Sequence, residues 1–240
     1  MRKTFKLGLC LGAGLLAATA AQASDKQENI DRLNSAVDVF HEIMDMPDRG
    51  IPHDLLDRAQ CVVIVPGVKK GAFVIGAEYG KGYFTCRGHH GQGWTAPGAV
   101  IVEGGSFGFQ IGGQETDVVM LVMNDDGERR LLESQFKLGG DASIAAGPLG
   151  REASADTDLY LTAEILSWSR NRGVFAGVSL AGATVRQDLK DNEAIYGSKL
   201  SNKDIIEGHT AVPPVAAHLV QVLDRYSPRK HEPPRKNAGV

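Results

Sequence analysis

Cys61-Val62-Val63-Ile64-Val65-Pro66-Gly67-Val68-Lys69-Lys70-Gly71-Ala72-Phe73-Val74-Ile75-Gly76-Ala77-Glu78-Tyr79-Gly80-Lys81-Gly82-Tyr83-Phe84-Thr85-Cys86 opens on a continuous apolar, β-branched run. It continues as two alternating segments, Phe73 to Tyr79 and Gly82 to Cys86, with glycines in the gaps. A run of this composition reads as strand, and the glycines mark turns or bulges between strands. The stretch decides the fold class, because nothing in it repeats at the helical period.

Working outward, Ala99–Glu103, Phe107-x-Phe109-x-Ile111 and Val118–Met123 predict further strands. Asn124 to Gly127 is a turn, and Glu128 to Ser134 fits one or two helical turns. Phe136, Leu138, Gly140, Ala142 and Ile144 share one face of a predicted strand. Thr157–Ser169 and Gly173–Val185 read as a long hairpin joined at Arg170 to Gly173, although the first arm also fits a helical period. The 29 glycines fall within and between these strands. They imply a strongly curved antiparallel sheet, barrel- or sandwich-like.

Helices flank this body. Ile30, Leu33, Val37, Phe40 and Ile43 make residues 28–46 amphipathic, and the opposite face carries Asp31, Asp38, Glu42 and Asp45. Pro47 ends that helix, and a short one is expected over Pro52–Gln60. Further helices are predicted at Asn192–Tyr196, Ser201–Glu207 and Pro214–Tyr226. The chain is therefore expected to be α+β. Its parts are a leader (1–23), N-terminal helices (24–60), a β-rich domain (61–200), C-terminal helices (201–226) and a disordered tail (227–240).

The leader has a basic start at Arg2, Lys3 and Lys6, an apolar run from Leu7 to Ala18, and Ala21-Gln22-Ala23. This is the pattern of a signal peptide cleaved near Ala23, so the mature protein is expected in the periplasm or outside the cell. Cys10 does not make it a lipoprotein, since Leu9 stands where a small residue is needed. Removing residues 1–23 takes three positive charges and moves the formal charge from −3 to −6. An acidic protein is a poor phosphate-backbone binder, which argues against nucleic acid as a partner.

Cys61 and Cys86 remain after cleavage, an even number in an oxidising compartment. A bridge between them closes a loop of about 25 residues and stabilises by roughly 3 to 4 kcal/mol in the chain-entropy model. The alternative is that Cys61 serves as a small buried hydrophobe.

Several blocks together resemble one family. Arg58 to Gly82 resembles the opening of the SYLF domain, and Glu103-Gly-Gly-Ser-Phe-Gly-Phe-Gln-Ile-Gly-Gly-Gln114 resembles its second block. Asp117–Asn124, Gly147–Arg151, Ser169–Leu180 and Ile195-Tyr-Gly197 resemble later blocks in the same order, so the likeness covers roughly residues 50 to 200. The resemblance implies a lipid-binding domain without established enzymatic chemistry. In eukaryotic members lipid contact is attributed to basic residues and an amphipathic N-terminal helix. This chain departs there, because its first helix has an acidic polar face, the wrong sign for an anionic headgroup. For an exported protein, the resemblance carries over neither phosphoinositides nor the actin role of some members.

The remaining motifs favour no catalytic chemistry. Gly104-Gly-Ser106-Phe-Gly108 matches a nucleophile elbow in letters, but Phe107, Phe109 and Ile111 predict a strand where the elbow needs a helix. His89-His90 lies in a glycine-rich loop with no third metal ligand at useful spacing. Asp125–Glu128 and Asp188–Glu193 lack the spacing of a calcium loop and suit turns and helix starts. No phosphate loop, metal site or cofactor fingerprint is present, so no cofactor is expected. Lys69, Lys70, Lys81, Arg170, Arg172 and Arg186 fall near expected strand ends. On one rim they form a cationic margin around Phe73, Tyr79, Phe107 and Phe175, suited to a lipid headgroup above an apolar groove. The competing roles are solubilising hairpin ends and an envelope protein that docks a protein partner.

Overall fold

The computed structural model describes residues 7–46, 50–73, 75–88, 93–107, 112–147, 163–171, 174–175 and 180–228. Its strands are β1 (Cys61–Phe73), β2 (Ile75–Cys86), β3 (Gly98–Phe107), β4 (Gly112–Val122), β5 (Gln135–Lys137), β6 (Ile144–Ala146), β7 (Ile165–Asn171), β8 (Val174–Phe175) and β9 (Thr184–Gln187). Its helices are α1 (Leu7–Met44), α2 (His53–Arg58), α3 (Asp125–Leu132), α4 (Leu189–Tyr196), α5 (Asn202–Glu207) and α6 (Ala217–Tyr226), the last entered by a 3₁₀ turn at Pro214–Ala216.

One curled sheet of nine strands runs β5-β9-β3-β2-β1-β4-β7-β6, with β8 paired to β7. All pairs are antiparallel except β6 with β7, so the α+β expectation holds with one parallel pair added. β1 lies at the centre between β2 and β4. Its apolar run is buried on both faces: Cys61, Val63 and Val65 enter one core, and Val62 and Ile64 enter the other. This explains why five apolar residues follow without alternation.

The first core is closed by α1, α2 and α6, through Leu33, Phe40, Ile43, Leu56, Leu219 and Leu223. The second lies inside the curl and is closed by Leu131, Phe136, Ile205 and Ile206. Asn124 caps α3 by accepting from the Gly127 N–H, and Ser201 and Asp204 form a capping box on α5. These are the acidic and polar starts that favour helix N-termini.

The curl turns on a bulge in β1. Register with β2 shifts between Ile64 and Lys69, and with β4 between Val65 and Val68. Pro66 has no N–H to give a ladder, and Gly67 adopts φ +59° and donates its N–H to Asp117 Oδ1 at 2.9 Å. On the neighbouring strand, a Cβ at Gly82 would stand 2.1 Å from the Ile64 carbonyl oxygen, so only glycine lets β2 cross so close.

Three sequence expectations change. The alternating segments on either side of Gly80 form one strand, β2. The strand expected from Phe136 to Ile144 is two short strands separated by a turn at Gly139, φ +75°, whose N–H reaches the Ala142 carbonyl. Of the long hairpin, the described residues hold two pairs, Arg170 with Phe175 and Asn171 with Val174. β9 instead crosses to the other side of the sheet and pairs β3 and β5. The expected hairpin residues 157–162 and 176–179, Phe109 to Ile111, the His89-His90 loop and the tail beyond Pro228 lie outside the described residues.

Candidate functional site

The expected cationic rim does not form as a rim. Lys69 and Lys70 are internal to β1, and as consecutive strand residues they point to opposite faces.

 Lys70 Nζ lies 2.8 Å from Glu78 Oε2 on the inner face, whereas Lys69 is exposed and stands opposite Tyr79 and Glu115 on the face that α1 packs against. Lys81 is mid-strand in β2, with its ammonium 2.6 Å from Asp188 and 3.0 Å from Asp191. Arg170 is held between Glu42 of α1 and Asp117 of β4. Arg186 grips both carboxylate oxygens of Glu103, at 2.9 and 3.3 Å. Arg172 lies outside the described residues. Four of the expected cations, Lys70, Lys81, Arg170 and Arg186, therefore have carboxylate partners.

The side chains that the sequence reading missed are the partners. Arg32 of α1 reaches Asp191, which sits in the first turn of α4, and Tyr83 donates to the side-chain oxygen of Asn29 at 2.7 Å. Burial works against the Asp188 charge, yet Lys81 and the N–H groups at the start of α4 hold its carboxyl below the usual carboxylate range. Burial pushes the Tyr83 hydroxyl well above its ordinary value, so it stays a neutral donor. Burial also opposes the charge on Lys81, but hydrogen bonds to Asp188 and Asp191 keep its ammonium above the usual value. This cluster fastens α1 and α4 to β2 and leaves Lys81 no free charge for a headgroup.

Beside α1 runs a trough of about 470 Å³, walled by Glu28, Asp31, Asp38 and Glu42 and floored by Glu115 and Asp117. Arg32 and Arg170, its two cations among the described residues, are already paired. The trough repels anionic headgroups, in keeping with the acidic polar face read from the sequence.

The far end of the sheet differs. Past the bulge, β1 to β4 continue to Phe73, Ile75, Phe107 and Gly112. Their last register pairs set Phe73 opposite Ile75 and Ile75 opposite Phe107. Four residues back along β2, Tyr79 is 45 % exposed beside the exposed Lys69. Tyr79 and Leu189 are the exposed large hydrophobic residues among those described. Ser106 of the elbow-like motif lies in β3 opposite Gly76, within a strand on both sides. Among the described residues no helix is long and apolar enough to cross a membrane.

Residues 103–226 match the family model described as "Ysc84: Las17-binding protein actin regulator". The chain is 33 % identical over 180 residues to protein YSC84 of Saccharomyces cerevisiae, which is 74 % of this chain and 38 % of that protein. It is 33 % identical over 180 residues to LAS seventeen-binding protein 3 of the same yeast, covering 74 % of this chain and 39 % of that protein. It is 31 % identical over 194 residues to the human SH3 domain-containing YSC84-like protein 1, covering 80 % of this chain and 56 % of that protein. The chain thus spans between about two fifths and just over half the length of these relatives.

Proposed function

Because the chain belongs to the Ysc84 family, the family of the SYLF domain, we propose that it is a non-enzymatic module that docks on a lipid surface through the far end of the β1–β4 ladder. The observation that carries this reading is the run of large apolar residues at that end, Phe73, Ile75 and Phe107 in adjacent register, with exposed Tyr79 and Lys69 behind them. An aromatic with a polar tip beside a lysine suits the boundary between acyl chains and headgroups. The reading without catalysis is supported by Ser106, which is paired in β3 opposite Gly76, whereas a nucleophile elbow sets its serine in a strained turn. Cleavage near Ala23 would deliver the module outside the cytoplasm, and N-terminal sequencing of the exported protein tests that.

Co-sedimentation with phosphatidylcholine vesicles, with and without phosphatidylglycerol, tests the docking. Tyr79→Ser and Ile75→Ser are each expected to lower vesicle partitioning about tenfold, the loss of one buried large side chain. Lys69→Glu is expected to act only on the anionic vesicles. Unchanged partitioning in all three variants defeats the reading. A protein partner is the second reading, favoured by the name of the yeast relative as a LAS seventeen-binding protein. Absence of binding to either vesicle, with intact folding, selects it.

A further inference from the structure

A second cavity lies away from the ladder end, between Trp94 and the segment that runs from α5 to Val212. Its volume is about 410 Å³, within the range of small-ligand pockets. The apolar part of its wall is formed by Trp94, Ala96, Ile205, Ile206 and Val212, and exposed His209 is the one titratable side chain among its described lining residues.

Trp94 is 5 % exposed, and its indole Nε1–H has no acceptor. A buried donor left unmatched is costly, so such groups are rare without a ligand or water to meet them. Arg87 covers one face of the indole, its guanidinium carbon 3.8 Å from the ring centroid, and Arg87 does not line the cavity. Trp94 itself lines the cavity. The two threonines of the wall are already engaged: Thr95 Oγ1 accepts from the Cys86 N–H, and Thr210 Oγ1 donates to the Asp204 carbonyl.

We propose that this cavity is a second ligand site, which takes one acyl chain of a neutral amphiphile and accepts its ester carbonyl on the Trp94 indole N–H. The apolar wall selects the chain, and a single unmet side-chain donor matches one carbonyl oxygen rather than the several oxygens of a phosphate. The site shares only its class of ligand with the ladder end, and neither needs the other.

The probe is monodecanoylglycerol below its micelle concentration, followed by the two indole N–H signals in ¹H–¹⁵N spectra of the whole protein. Saturable binding is expected, with the Trp94 signal moving downfield and the Trp168 signal fixed. Thr210→Trp, at the half-exposed mouth, is expected to weaken binding more than tenfold without touching the core. Trp94→Phe, which keeps the ring and removes the donor, is expected to weaken it about fivefold. Decanol should bind the wild type more weakly by a similar factor. A fixed Trp94 signal, equal binding of decanol, or indifference to Thr210→Trp overturns the proposal. So does self-association of the protein that Thr210→Trp abolishes, which would assign the cavity to a second copy. Vesicle partitioning of Thr210→Trp should stay at the wild-type level, and monodecanoylglycerol binding should survive Tyr79→Ser, so the two sites fail separately.

Discussion

Arg32 of α1 and Asp191 of α4 meet in a largely buried ion pair, guanidinium to carboxylate at 2.6 Å, and the same Asp191 oxygen takes Lys81 of β2 at 3.0 Å. One carboxylate thus joins two helices to the sheet across 159 residues of sequence. Its loss leaves Arg32 with Glu28 and Lys81 with Asp188 as their ion-pair partners among the described residues. Asp191→Asn is expected to destabilise by about 3 kcal/mol, because breaking a buried pair strands its partners. Urea unfolding measures this, and a midpoint equal to wild type would show that the cluster contributes no net stability.

The same cluster sets the acid limb of stability. Asp188 in the folded protein ionises below the ordinary aspartate value of about 3.9, against the opposing effect of its burial. A depressed carboxyl contributes stability that is full above its unfolded value and is lost as pH falls through its folded value. Stability is therefore expected to decline below about pH 4, and the decline should be shallower in Asp188→Asn. Thermal unfolding from pH 6 down to pH 2 reads the difference, and parallel curves for the two proteins would exclude Asp188 as a source.

Cys61 and Cys86 end the central hairpin as directly opposed residues, and the structure joins them as a disulfide. At a sequence separation of 25, the bond is expected to contribute roughly 3 kcal/mol by limiting the unfolded chain. The Cys61→Ala, Cys86→Ala double variant should unfold at correspondingly lower urea, with its native spectrum kept. Two free thiols in the wild-type protein purified under oxidising conditions would show instead that both cysteines act as small core residues.

Much of the fold was legible because it follows from local pattern. The unbroken run Cys61–Val65 marks the central strand, and the apolar steps Leu33, Val37 and Phe40 mark the buried face of α1. The polar residues before α3 and α5 cap them as their types suggest. The partner of β9 was not legible, since Thr184–Gln187 has the same alternation whether it returns to β7 or crosses to β3. Nor was the fate of the cations. Lys81 finds Asp191 at a separation of 110 residues and Arg186 finds Glu103 at 83, and no spacing in the chain encodes such pairs. The unmet indole of Trp94 depends on what does not approach it, which sequence pattern does not express.

Gly82 gives the sharpest test of the bulge as the source of the curl. A Cβ there would stand 2.1 Å from the Ile64 carbonyl oxygen and 2.8 Å from the Val65 Cα, both backbone atoms of the central strand that no rotamer change can move aside. Gly71, in the same hairpin, has open space where its Cβ would go. Gly82→Ala is therefore expected to cost about 3 kcal/mol or more, as overpacking against fixed backbone does, whereas Gly71→Ala should stay within about 1 kcal/mol of wild type. Since Gly82 lies between Lys81 and Tyr83, the same substitution should also loosen α1, seen as faster amide exchange at Leu33, Val37 and Phe40. Equal stability of the two alanine variants would mean that β2 can draw away from the bulge at no cost, and that the close crossing does not hold the sheet in its curl.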